Sequence, residues 1–60
     1  MLRFEEGYEI RFSETLGIWY ADIYKDGEFQ IRSMSSSPSL DEIMDYARSV
    51  MTWVGVKEIN

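Results

Sequence analysis

The side chains best suited to chemistry in this sequence are carboxylates. Asp22 stands between aromatic residues in an alternating stretch, where a carboxylate set in a cleft would act as a general base. Asp41, Glu42 and Asp45 form a second group, in which Asp41 and Asp45 are about one helical turn apart. Oxygen ligands at that spacing resemble part of a site for a hard cation such as Ca²⁺ or Mg²⁺.

Neither carboxylate group has the partners that such chemistry requires. The sequence contains no histidine and no cysteine, which excludes nucleophile–histidine dyads, thiolate metal sites and disulfides. We therefore predict that Asp22 is a solvated strand residue beside Glu9 and Gln30, and that the helix carboxylates form a solvated face near Arg48. No catalytic residue, cofactor or metal is expected, and the protein is predicted not to be an enzyme.

Aromatic and basic residues define a more informative surface. Arg11, Tyr20, Tyr24 and Arg32 are predicted to share the outer face of a sheet, which resembles platforms that stack single-stranded bases. Because acidic residues share the face, a protein interface is favoured over nucleic acid, and an ordinary surface of cross-strand pairs stays open as an alternative. The candidate partner-binding residues, including two on a helix flank, are Arg11, Tyr20, Asp22, Tyr24, Arg32, Tyr46 and Trp53.

An amphipathic helix over residues 39–54 is the clearest structural signal. Ser39 and Glu42 fit a capping box, in which Glu42 reaches back to the cap, while Ser37 followed by Pro38 is a competing start. Gly55 supplies a left-handed stop. Tyr46 and Trp53 lie on the flank, where they either wrap the sheet edge or project as a patch for a partner. The apolar stripe contains Leu40, Ile43, Met44, Ala47, Val50, Met51 and Val54.

Three alternating stretches before the helix predict antiparallel strands at residues 8–13, 18–24 and 28–34. Residues 14–17 form a four-residue connection, and residues 1–7 form a frayed start that either stands alone or extends the first strand. Residues 56–59 fit either a short fourth strand or an extended tail. The predicted fold is α+β, a three-stranded antiparallel sheet of order β-β-β-α with the helix packed on one face.

The second hairpin allows two registers. A two-residue turn at Asp26 and Gly27 would place Tyr24 opposite Phe29, but it would pair apolar with charged residues further along. A three-residue loop over 25–27 with a bulge separates the faces, so we predict that Ile23 faces Phe29 and that Ala21 faces Ile31. The predicted core face is then Tyr8, Ile10, Phe12, Trp19, Ala21, Ile23, Phe29 and Ile31.

Length and charge limit the partners. Sixty residues form one domain with a small core, so a homodimer is expected as a source of additional burial. The net charge of −5 makes direct nucleic-acid binding unfavourable and suits a basic protein partner. The sequence has no membrane span and no signal peptide, so we expect a cytoplasmic protein.

Short motifs in the chain resemble the N-terminal domain of HicB-like antitoxins and small stand-alone proteins similar to it. They are 8–10 in the first strand, Glu14 with 17–21 entering the second, and 39–42 with Ala47 in the helix. The family's Pro-Gly-Cys-like segment is absent, and no DNA-binding segment follows residue 60, so operator binding is not carried over. What the resemblance implies is toxin masking by an acidic domain.

These observations lead to one functional hypothesis and one alternative. The hypothesis is a small acidic protein-interaction module, of the HicB-like antitoxin or regulatory type, that masks a basic surface on a toxin or enzyme. The alternative is a phage or mobile-element inhibitor, which mimics nucleic-acid charge to block a host nuclease or another DNA-binding enzyme.

Overall fold

The computed structural model describes residues 1–59 and shows an antiparallel sheet with one helix packed on it, which confirms the predicted α+β class. The strands follow chain order across the sheet, each pairing with the next. The elements are β1 (Leu2–Arg3), a 3₁₀ turn (Glu5–Gly7), β2 (Tyr8–Thr15), β3 (Ile18–Lys25), β4 (Glu28–Ser37) and α1 (Leu40–Trp53).

The predicted count of three strands is wrong, because the chain start forms a strand of its own. In β1, Leu2 pairs with Ile10 and Arg3 with Glu9. The tail adds an isolated bridge on the far side of β1, where Phe4 pairs with Glu58. A strand of two residues is too short to show alternation of apolar and polar side chains, and a single bridge leaves no pattern. The sequence therefore contains no signal for β1 or for the bridge.

The first hairpin is tighter than predicted. Thr15 pairs with Ile18, which leaves a two-residue turn at Leu16 and Gly17 instead of a four-residue connection. Both turn residues have positive φ, 52° for Leu16 and 80° for Gly17. This geometry is that of a type I′ turn, whose twist matches the strands it joins.

The second hairpin has the two-residue turn and not the predicted three-residue loop. Lys25 pairs with Glu28 around Asp26 and Gly27, whose φ values are 50° and 84°. The predicted three-residue loop is therefore wrong. Aspartate and glycine tolerate the left-handed conformation that both positions of a type I′ turn require.

The bulge that separates the faces lies inside β4 and not in the turn. Tyr24 pairs with Phe29, but the next pair is Ile23 with Ile31, so Gln30 is the extra residue. The predicted pairs of Ile23 with Phe29 and of Ala21 with Ile31 are both wrong. Phe29 is consequently on the outer face, 55% exposed, and not in the core as predicted.

A second irregularity in β4 lies beside Ala21. The register changes between the pair of Asp22 with Arg32 and the pair of Tyr20 with Ser36. Across this gap the amide of Ala21 donates to the side chain of Ser33 at 3.1 Å, and the Ser33 hydroxyl donates to the Ser35 carbonyl at 2.8 Å. A serine side chain therefore replaces a backbone acceptor in the ladder.

The core lies between the sheet and α1. Tyr8, Phe12, Trp19 and Ile23 are partly buried against it, as their predicted face requires. Val54, predicted on the apolar stripe, is 57% exposed because the helix has ended at that point. Among the side chains that the structure describes, the buried apolar residues are Leu2, Phe4, Ile10, Ala21, Ile43, Ala47 and Met51.

The start of α1 confirms the predicted cap but not the predicted box. The Glu42 amide donates to Ser39 Oγ at 3.3 Å, so Ser39 is the N-cap, and the alternative start at Pro38 is wrong. The Glu42 carboxylate does not reach the cap amide. It accepts from the Ser37 hydroxyl at 2.6 Å, and Ser37 Oγ in turn accepts from the Ser39 amide at 3.0 Å. Gly55 ends the helix at φ 84°, as predicted.

Candidate protein-interaction surfaces

The outer face of the sheet brings together five of the predicted partner-binding residues. Across β2, β3 and β4, Asp22 pairs with Arg11 on one side and with Arg32 on the other. Tyr20 and Tyr24 lie two positions before and after Asp22 on β3, so their side chains share its face. The predicted neighbours of Asp22, Glu9 and Gln30, are wrong because both hairpin registers differ from the predicted ones.

Asp22 is the centre of a hydrogen-bonded network on this face. Its carboxylate accepts from Arg32 Nε at 2.8 Å and Arg32 Nη2 at 3.3 Å, and from Ser13 Oγ at 3.0 Å. Arg32 Nη2 also donates to Ser13 Oγ at 3.1 Å. Asp22 is only 8% exposed, so the prediction of a solvated strand residue is wrong. Both carboxylate oxygens have donors, which is the condition for burying a charge without a large cost.

The network shifts the ionisation of both partners. The hydrogen bond from Arg32 lowers the pKa of Asp22 below its ordinary value, and Ser13 acts in the same direction, while partial burial opposes them. The same hydrogen bond raises the pKa of Arg32. Asp22 is therefore a carboxylate held in its charged form, the opposite of what a general base near neutral pH needs.

Each arginine of the outer face also covers a tyrosine. The guanidinium carbon of Arg11 lies 3.9 Å from the centre of the Tyr24 ring, and that of Arg32 lies 4.7 Å from the centre of the Tyr20 ring. Arg11 Nε further donates to Glu9 Oε2 at 2.6 Å. The stacks and ion pairs fix side chains that would otherwise sample many rotamers.

Phe29 belongs to the same surface, although it was predicted to lie in the core. Its ring meets the Tyr24 ring edge-on, with centroids 5.7 Å apart and planes at 78°. The sequence signal for the position of Phe29 is the pair Asp26 and Gly27, because a type I′ turn there places Phe29 opposite Tyr24. We call Arg11, Tyr20, Tyr24, Phe29 and Arg32, with Asp22 beneath them, the outer platform.

The other two candidates, Tyr46 and Trp53, lie on the helix and not on the outer platform. Tyr46 lines a half-open apolar cavity of about 150 Å³ between α1 and β4, together with Ile23, Ile31 and Val50. Trp53 is 88% exposed, so of the two alternatives it projects and does not wrap the sheet. The predicted residues thus divide between two surfaces on opposite sides of the sheet.

The helix carboxylates form no group with each other that resembles a metal site. Glu42 is used by Ser37, and within residues 1–59 no cluster of three or more potential metal ligands is present. Arg48, predicted to lie near this solvated face, forms its ion pair with Glu58 of the tail at 2.9 Å.

Comparison with known proteins adds no relative. Neither a protein-family model, a curated protein nor a solved structure matches the chain. In the part of the chain that the structure describes, α1 is too short and too polar to cross a lipid bilayer.

Proposed function

We propose that this chain is a small acidic protein-interaction module that binds another protein through the outer platform. The observation that supports this proposal is the order imposed on large, exposed side chains. Arg11 and Arg32 are about half exposed, yet each is held by an ion pair with a carboxylate and by a stack on a tyrosine.

Such an arrangement lowers the entropic cost of association. Ordering a flexible side chain at an interface costs about 0.5–1.5 kcal/mol, and side chains that are already ordered avoid this cost. Tyrosine and arginine are also the residues that most often dominate binding energy. Phe29 adds an exposed apolar ring beside Tyr24.

The charge distribution supports a basic partner. The positive charges of Arg11 and Arg32 are balanced by Glu9 and Asp22, so neither is available to neutralise phosphates. The chain keeps its net charge of −5, which attracts basic surfaces over distances up to the screening length. The proposal is thus an antitoxin-like or regulatory protein of the cytoplasm, similar in type to HicB-like domains, that masks a basic surface on a toxin or enzyme.

A second candidate function is mimicry of nucleic-acid charge. It is supported by exposed carboxylates away from the platform, such as Asp41 and Asp45 on α1, for which the described residues provide no ion-pair partner. An inhibitor of this kind would block a DNA-binding enzyme through those carboxylates and would not need the outer platform.

Capture from cell lysate by immobilised protein separates the two candidates when it is run with platform variants. Phe29→Ser and Tyr24→Ala should lose the captured protein, since removing a dominant interface side chain costs about 2 kcal/mol or more, roughly 30-fold in Kd. Leu16→Ser, at a residue 98% exposed on the far hairpin, is the matched control and should retain it. The captured protein should be basic and should elute with salt.

The proposal would be refuted by capture that survives both platform substitutions. Loss of capture in Asp41→Asn and Asp45→Asn, together with salt-sensitive inhibition of a DNA-binding enzyme, would favour mimicry instead. Far-UV circular dichroism of every variant shows whether a loss of capture reflects binding or unfolding.

A further inference from the structure

The turn of the second hairpin carries a dipeptide with chemistry of its own. Asp26 and Gly27 form this two-residue turn, and both residues are exposed. No atom beyond the chain neighbours of Gly27 lies within 4 Å of the position that a Cβ would take there. Water therefore reaches the peptide bond between the two residues.

An aspartate followed by glycine reacts with its own backbone. The Gly27 nitrogen attacks Cγ of Asp26, so that an N–Cγ bond forms while the carboxyl OH leaves as water with the amide proton. Glycine permits this attack because it has no Cβ beside its nitrogen. Water then opens the resulting five-membered succinimide. Cleavage of the N–Cγ bond restores aspartate, whereas cleavage of the bond from nitrogen to the Asp26 backbone carbonyl leaves isoaspartate.

The other three aspartates of the chain do not meet these conditions. Asp41 and Asp45 are exposed, but each lies in α1 and precedes a residue with a large side chain, which obstructs the amide nitrogen. Asp22 is only 8% exposed, and hydrogen bonds hold its carboxylate. The reaction is therefore expected at Asp26 and not at the other three positions.

The 3₁₀ turn at Glu5–Gly7 restrains Asp26. The Asp26 amide donates to the Gly7 carbonyl at 2.9 Å. The Asp26 carboxylate packs so closely on Gly7 that a Cβ at Gly7 would collide with Asp26 Oδ1. Lys25 supports the same contact, because its Nζ donates to the Glu6 carbonyl. Attack on Cγ requires rotation about bonds of Asp26 that these contacts hold fixed.

The restraining turn is itself a segment that opens easily. It contains no buried residue. Glu6 and Gly7 have φ values of 64° and 79°, and the left-handed region is unfavourable for glutamate. Segments with few buried contacts open locally at a small free-energy cost. Asp26 therefore reaches its reactive conformation without unfolding of the sheet.

We propose that Asp26 is a site of isoaspartate formation and that its contact with Gly7 sets the rate of this modification. The sequence of the dipeptide supplies the reactivity, and the fold supplies the restraint. The chemistry requires water but no partner protein, so its test is independent of the proposed function.

Isoaspartate at position 26 would change the outer platform. It adds one backbone atom, Cβ, to a turn that the structure closes with two residues. The pair of Lys25 with Glu28 is adjacent to this atom, and the pair of Tyr24 with Phe29 follows directly. The modified turn is expected to break both pairs and to separate the two aromatic rings.

Incubation of the full chain at neutral pH, followed by peptide mapping, tests the site. Electron-transfer fragmentation cleaves isoaspartate within its backbone and so distinguishes it from aspartate of equal mass. Isoaspartate should accumulate at Asp26, while Asp41 and Asp45 stay at background. Isoaspartate at Asp26 no more abundant than at these two helix residues would overturn the proposal.

A pair of glycine variants tests the restraint. Gly7→Ala should accelerate the reaction at least about fivefold, because the added Cβ displaces the Asp26 carboxylate and alanine disfavours the left-handed backbone. Gly17→Ala is the matched control. It makes the same change at φ 80° in the first hairpin, where a Cβ meets no atom within 4 Å, and it should leave the rate unchanged.

Equal rates in the wild type and Gly7→Ala would overturn the role of the contact, and so would equal acceleration by the two variants. If circular dichroism shows that Gly7→Ala does not fold, Lys25→Met decides the matter, because it removes only the tie to Glu6 and should also accelerate the reaction. In the purified isoaspartate form, NMR should show that the contact between the Tyr24 and Phe29 rings is lost. Persistence of that contact would overturn the predicted effect on the outer platform.

Discussion

Removing the exposed partner of the Asp22–Arg32 pair should damage the fold more than removing the buried one. Arg32→Met leaves the Asp22 carboxylate, only 8% exposed, with Ser13 as its remaining donor among the contacts described. Asp22→Asn removes the charge and leaves Arg32, whose side chain is 46% exposed, free to be hydrated. The burial of the two partners therefore predicts the order of the two effects.

The size of the effect follows from the group that is left behind. A buried acceptor that loses its partner costs about 1–3 kcal/mol, and a charged acceptor lies toward the upper end of that range. The side chain at position 32 is half exposed, so water partly reaches the Asp22 carboxylate after Arg32→Met. We therefore expect this substitution to lower the free energy of unfolding by about 2 kcal/mol. For a domain this small, that corresponds to a fall in Tm of roughly 8–16 °C. Asp22→Asn should lower Tm by less than half of that.

The pH dependence provides an independent check. Since Arg32 lowers the pKa of Asp22, the network stabilises the fold above the unfolded pKa of about 4 and loses this contribution as the pH falls through the folded pKa. The difference in stability between wild type and Arg32→Met should therefore be nearly constant from about pH 5 to pH 8 and should shrink below about pH 4.

Thermal and urea denaturation followed by circular dichroism measure both effects. Arg11→Met is the matched control, because Arg11 also stacks on a tyrosine and pairs with a carboxylate, but its partner Glu9 is more exposed. It should change Tm by no more than about 3 °C. Equal effects of Arg11→Met and Arg32→Met, or a larger effect of Asp22→Asn, would refute the reasoning.

The remaining predictions concern the helix and the tail, and melting curves test both. Ala47→Asp should unfold the domain, because it places a charge at a residue 2% exposed, whereas Asp45→Ala on the solvent side should leave Tm almost unchanged. Equal tolerance of the two changes would contradict the observed orientation of the helix. Ending the chain after Val56 should lower Tm by roughly 5–10 °C, because Phe4, now 3% exposed, loses its cover. Arg48→Ala, which breaks only an exposed ion pair, should have a much smaller effect.

The helix could be predicted closely because its signals are local and repeated. A period of 3.6 over residues 39–54, a serine cap and a glycine stop all indicate the same element, and α1 spans Leu40–Trp53. The role of Glu42 could not be predicted this way. It bonds to Ser37, a residue outside the capping-box pattern, whose position depends on where β4 ends.

The sheet was predictable in class but not in register. The faces of β2 and β3 follow from alternation, whereas β4 contains an extra residue at Gln30 that alternation alone does not locate. With the bulge inside β4, Phe29 lies on the outer face instead of the core face, while the predicted faces of β3 are unchanged. A regular β4 would separate the two faces only with the three-residue loop, but the bulge inside β4 separates them with the two-residue turn.

The outer platform was predictable as a set of residues, but the pairing within it was not. Asp22 was expected to be solvated, because a carboxylate on an outer face is usually so. Ser13 on β2 and Arg32 on β4 meet it from the two neighbouring strands, which requires the correct register on both sides.

The Ile59 amide donates a hydrogen bond to the Arg3 carbonyl, which brings these two residues together on one edge of the sheet. A short peptide link could therefore join them into a closed ring with little distortion. Such a ring would have fewer unfolded conformations and would gain stability without any new contact. The ring could then be cut at the exposed Leu16–Gly17 turn, which would give the same fold in a different chain order.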